Sequence, residues 1–167
     1  RAAPNSHFAS ILDSSDEWSR TRSGTESRRF AAEDQTTSDL AVLAAEEALQ
    51  KAGMSAEELD GVLVATSTPD LTFPSVATMV QSRIGMKRGF AFDVQAVCAG
   101  IIYALANANA LILAGQAKKL LVIGAETFSR IMDWDDRATC VLFGDGAGAL
   151  ILSAEDGTGN KSERGNL

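Results

Sequence analysis

Phe90-Ala91-Phe92-Asp93-Val94-Gln95-Ala96-Val97-Cys98-Ala99-Gly100-Ile101-Ile102-Tyr103-Ala104-Leu105-Ala106 is the stretch whose reading decides the fold. Up to Val97 it is an apolar run with the length of a buried strand. From Ala99 the apolar character continues to Ala114 and stops at Gly115, which is the length and the glycine stop of a helix. Cys98 therefore falls where a strand hands over to a helix. Unpaired backbone N–H groups and the positive end of the helix dipole favour a thiolate at such a place. Ala99 and Gly100 are small and let other groups approach the sulfur. The other reading of Cys98 is a buried, inert thiol, as most unpaired cysteines are, and the local pattern leaves both open.

Outward from this stretch the same alternation recurs. Thr36, Thr37 or Ser38 caps a helix through Ala41–Leu49 that Gly53 ends. Ser55 with Glu58 forms a capping box for a short turn. Gly61–Thr66 reads as a strand, Ser75–Ile84 as a helix closed by Gly85, and Leu120–Ala125 as a further strand. Thr139–Phe143 and Ala147–Leu152 read as extended segments. Strands alternating with helices give an α/β class: a mixed, largely parallel sheet flanked by helices. The helix from Ala99 to Ala114, apolar on nearly every face, reads as the central helix of a packed interior. Three spans follow: a polar, weakly structured opening at 1–37, a body at 38–154 and an exposed polar tail at 155–167.

The chain has 167 residues, enough for one domain with a real core. It is 46% hydrophobic and 22% charged, ordinary for a soluble globular protein. Cys98 and Cys140 are its two cysteines, and a chain that opens without a leader segment implies free thiols in a reducing, cytoplasmic setting. Asn107 and Asn109 interrupt the one apolar segment that could suggest a membrane span, and that segment is too short. A net charge of −7 argues against general nucleic-acid binding. Anionic ligands must then be met by local basic clusters: Arg20, Arg22, Arg28 and Arg29, or Arg83, Lys87 and Arg88. Trp18 beside Arg22 supplies an aromatic face and a guanidinium for a flat, phosphorylated ligand. Gly144-Asp145-Gly146-Ala147-Gly148 precedes a strand-like run rather than a helix, so it reads as a tight turn and not as a phosphate loop. Cys140, inside an apolar run, reads as core. No cluster points to a metal.

Four segments carry a resemblance over nearly the whole chain. They are Phe92–Gly100, Asp16-Glu17-Trp18 with Thr21-Arg22-Ser23-Gly24, Asp135–Thr139 and Phe143–Ala149. In this order they resemble the signature segments of the beta-ketoacyl-[acyl-carrier-protein] synthase III family, condensing enzymes on the thiolase fold. The resemblance implies a thiolase-like N-terminal half over the 38–154 body, with the CoA-contacting motif in the opening. It implies an acyltransferase that starts type II fatty-acid synthesis, joining an acyl-CoA primer to malonyl-acyl carrier protein. Cys98 then matches the acyl-accepting nucleophile. Trp18 and Arg137 match the pair that sandwiches the adenine of CoA, with Arg22 beside them. Phe128 and Phe143 match acyl-pocket positions, and Phe73 a residue reaching into the partner's pocket across a homodimer. CoA thioester enters as substrate, and no resident cofactor is implied.

Ser19, Ser23 and Thr25 depart from the family's usual residues, an apolar residue, Thr and Ile respectively. The His and Asn that the family uses to decarboxylate malonate have no counterpart here. His7, the one histidine, reads as an exposed loop residue. The family's first strand, taken as central to this half's sheet, also lacks a counterpart, so the expectation is an incomplete half with a gap in its sheet. A non-catalytic truncated or split half, and another thiolase-fold acyltransferase, are the alternative readings.

Overall fold

The structure, a computed structural model, describes residues 1–8 and 14–155, with Arg137 described in its backbone alone. The opening holds β1 (Ala2–Pro4), α1 (Asn5–Phe8), α2 (Asp16–Ser23) and β2 (Ser27–Arg29), with β1 antiparallel to β2. Its described residues are ordered, against the expectation of weak structure, because local devices hide in their polar composition. Ser15 caps α2 by accepting from the Trp18 N–H, and Gly24 ends it with φ 69°. Its apolar anchor is Phe8, which is buried with Cys140 and Val141 and has Phe30 and Trp134 packed against it. His7 lies half-buried in α1, its Nε2 3.2 Å from an Arg1 guanidinium nitrogen, and is not on an exposed loop.

The body runs α3 (Thr37–Ala52), a 3-10 turn at Ala56–Glu58, β3 (Gly61–Ala65), α4 (Val76–Arg83) and β4 (Phe90–Val94). A 3-10 turn at Val97–Ala99 leads into α5 (Gly100–Leu113), followed by β5 (Lys119–Thr127), a 3-10 turn at Phe128–Arg130, α6 (Arg137–Cys140) and β6 (Asp145–Ser153). The sheet order is β4-β3-β5-β6, with β3 parallel to β4 and β5, and β6 antiparallel to β5. Side chains of the central strands alternate between two layers. Val62, Val64, Leu121 and Ile123 pack under α3 and α4, while Leu63, Ala65, Leu120 and Val122 pack under α5. The mixed, largely parallel α/β sheet expected from the sequence is present.

Several expectations need correction. The sheet is continuously paired from β4 to β6, so the expected central gap is absent. Thr139–Phe143 is not extended: α6 ends at Cys140, and Asp136 starts it by accepting from the Ala138 N–H and the Thr139 hydroxyl. Asp145 and Gly146 belong to β6 rather than to a tight turn. The close approach expected of the glycines occurs at Gly144, where an added Cβ would stand 3.0 Å from the Arg29 carbonyl oxygen. α5 buries Gly100, Ala104 and Ala108 along one stripe, but Ile102, Tyr103 and Leu113 are 60%, 54% and 75% exposed. It is therefore covered on one face only. No helix among the described residues is long and apolar enough to cross a membrane. Apart from Glu155, the 155–167 tail lies outside the described residues.

Candidate active site

β4 ends at Val94 and α5 begins at Gly100, so the chain must turn sharply in between. It does so at Val97, whose φ of 47° is a left-handed conformation that β-branched residues rarely adopt. Cys98 follows, in the 3-10 turn before α5, and is exposed. Gly100 permits the close fit behind it: an added Cβ would stand 3.2 Å from the Cβ of Ala65. Cys98 opens onto a hollow of about 290 Å³ at the C-terminal ends of the parallel strands, lined by Ala65, Ile101, Glu126, Gly146 and Gly148 among others. An added Cβ at Gly146 or Gly148 would meet nothing within 4 Å, so these glycines leave the hollow open rather than tighten a contact. The inert reading of Cys98 fails on its exposure. It fits Cys140, which is fully buried, with burial pushing its thiol up.

Sequence reading missed two carboxylates at this site. Glu126, near the end of β5, is held by the Ser67 N–H at 2.8 Å and the Thr68 hydroxyl at 2.6 Å. Asp93, on β4, accepts from the Val76 and Ala77 N–H groups at 2.9 and 2.8 Å, which ties the strand feeding Cys98 to the start of α4. Burial pushes the Asp93 carboxyl up, against those two hydrogen bonds. Glu126 stands in no motif and Asp93 lies within the Phe92–Gly100 segment without a role read for it there, because only the tertiary fold brings their partners to them.

The predicted ligand residues fall into separate groups. The Arg22 guanidinium lies 4.4 Å from the Trp18 ring centroid, a cation–π pair on α2. Arg137 is the first residue of α6, and its side chain lies outside the described residues. Phe128 and Phe143 stack at 4.8 Å with an interplanar angle of 13°. Phe73, just before α4, is 82% exposed. Neither aromatic pair lines the Cys98 hollow. The expected basic clusters are largely occupied. Arg20 pairs with Asp16 and Glu26, Arg83 with Asp39, and Lys87 with Glu57. Arg28 is buried beneath the surface.

The family model for 3-oxoacyl-[acyl-carrier-protein (ACP)] synthase III matches residues 92–164, from within β4 through Cys98 and beyond β6. Beta-ketoacyl-[acyl-carrier-protein] synthase III of Ruegeria pomeroyi is 68% identical over 167 residues, all of this chain and 52% of that protein. The synthase III of Dinoroseobacter shibae is 66% identical over the same shares. This chain is thus similar to synthase III along its whole length. The crystal structure of 3-oxoacyl-[acyl-carrier-protein] synthase III from Aquifex aeolicus superposes with a TM-score of 0.91 at 48% identity, over 94% of this chain and 51% of that one. The fold is accordingly the thiolase-like arrangement of the synthase III structures. The chain spans about half the length of the curated synthase III relatives it matches.

Proposed function

We propose that the whole protein is an acyltransferase of the synthase III type, priming type II fatty-acid synthesis. The Cys98 thiolate attacks the carbonyl carbon of an acyl-CoA, the C–S bond to CoA breaks, and CoA leaves as a thiol after taking up a proton. Malonyl-acyl carrier protein then loses CO2, and the resulting enolate carbon attacks the acyl-Cys98 carbonyl. This forms 3-oxoacyl-carrier protein and returns the thiolate. By the resemblance, Trp18 and Arg137 hold the adenine of CoA and Arg22 lies beside them. Phe128 and Phe143 line the acyl pocket, and Phe73 reaches into the partner of a homodimer. CoA thioester is a substrate, no resident cofactor is needed, and the setting is cytoplasmic.

The observation that carries this reading is Cys98 itself, exposed after a left-handed Val97 and opening onto a hollow at the strand ends. The similarity to synthase III over the full chain supports it. Intact mass after incubation with acetyl-CoA tests it. One acetyl adduct, lost in Cys98→Ser, is expected, and an adduct that survives that substitution would refute the assignment.

A further inference from the structure

Arg28 is 5% exposed and Asn5 is 2% exposed. Among the described residues Arg28 has no carboxylate partner, and its Nε has no hydrogen-bond partner. A buried guanidinium without an acid is costly unless its hydrogen bonds fix something. Those bonds run between two separate segments. One arm donates to the Val141 carbonyl oxygen, just after α6, and the other to Asn5 Oδ1 at 3.2 Å. Asn5 Nδ2 in turn donates to Asp16 Oδ1 at 2.9 Å and to the Thr25 carbonyl oxygen at 2.6 Å. Asp16 is the first residue of α2, and Thr25 follows its glycine stop. The Arg28 guanidinium also lies 5.0 Å from the Phe8 ring centroid, a cation–π contact.

We propose that Arg28 and Asn5 are positioning residues of the nucleotide site, a buried relay that fixes α6, where Arg137 begins, against α2, which carries Trp18 and Arg22. This rests on the reading of those residues as the CoA site. A base sandwiched between two segments binds only as well as their separation is held, so ordering that gap in advance raises affinity without touching the chemistry. The planar fork of an arginine presents separate nitrogens to the two segments in a fixed geometry, whereas a lysine offers one flexible ammonium nitrogen. Cys98 sits in the 3-10 turn between β4 and α5, outside the relay.

The test compares two acyl donors in the full-length protein: acetyl-CoA and S-acetyl-N-acetylcysteamine, a thioester without the nucleotide. Asn5→Ala and Arg28→Lys are expected to lower kcat/KM for acetyl-CoA in Cys98 acylation by about tenfold. The value for the short thioester should stay within about twofold, because its binding uses no nucleotide contact. If Asn5→Ala fails to fold, Asn5→Asp decides, since it keeps the acceptor for Arg28 but loses both donors to the α2 segment. Trp18→Ala is the control. If it lowers acetyl-CoA use selectively and the relay variants do not, the positioning role is overturned while the site reading stands. If the relay variants depress both donors equally, their role is merely structural and the proposal falls. If Trp18→Ala also spares acetyl-CoA, the site reading fails and takes the relay with it.

Discussion

At the scale of single residues, exposure separates the two cysteines. Cys98 is exposed in its turn, while Cys140 is buried and its thiol is pushed up by burial and by the charge of Asp136. Iodoacetamide should therefore label Cys98 well before Cys140, which peptide mapping over a time course reads directly. Labelling of Cys140 first would contradict this. In the opening, Ser19 is buried with its hydroxyl unpartnered among the described residues. Ser19→Ala should thus stabilise the protein by about 1 kcal/mol, seen as a higher urea midpoint at unchanged slope. Trp18→Ala should weaken CoA binding by about 1 kcal/mol or more through lost stacking. Arg22→Ala should act through charge, so its effect in calorimetry should shrink as salt rises. Cys98 was legible because a strand-to-helix junction is a local pattern. Arg28 was misread as part of a surface cluster because sequence spacing does not show which arginines fold inward.

At the scale of elements, the ends of helices were the most legible feature. Thr36 caps α3 and forms a capping box with Asp39, Ser75 caps α4, and Gly53 ends α3 with φ 63°. These are short-range devices written in adjacent residues. The segment from Thr139 to Phe143 was misread because an apolar run of that length fits a strand or a helical turn equally, and Asp136 decides for the turn. The α3 cap also carries a pH signature. The Asp39 carboxyl is held below its ordinary value of 3.8, chiefly by the Thr36 N–H, with the Thr36 hydroxyl and Arg83 adding to it against burial. A carboxylate with a depressed folded pKa stabilises fully above 3.8 and loses that contribution as pH falls through the lower folded value. Asp39→Ala should cost about 1 kcal/mol near neutral pH. The gap between variant and parent in urea unfolding should close on acidification below that range. A gap that persisted unchanged to pH 2 would show that the ionised cap is not its source.

At the scale of the whole molecule, the layered α/β sheet followed from alternation of elements, but the sheet's order did not. Pairing partners are non-local, and the expected central gap vanished once β6 was found beside β5. What remains open is surface rather than sheet interior. Phe73, Ile102, Tyr103 and Leu113 are more than half exposed, and β4 lies at the edge of the sheet. Apolar surface of this kind and an unpaired strand edge favour association. The 167-residue chain expressed alone should therefore self-associate and bind a hydrophobic dye. It should also fall short of the full reaction. Loss of CO2 from a malonyl thioester builds enolate charge that needs positioned donors. Among the described residues that line the Cys98 hollow, the ionisable one besides the thiol is Glu126, a carboxylate that would repel that charge. His7 is packed against Phe8 and Arg1 in the opening, away from the hollow. The acetylation of Cys98 proposed above would use neither residue. Mixing this chain with acetyl-CoA and malonyl-acyl carrier protein should give acetyl-Cys98 by mass, with no CO2 released and no acetoacetyl product. A monomeric preparation that formed acetoacetyl-carrier protein would show that these residues alone hold the complete catalytic machinery.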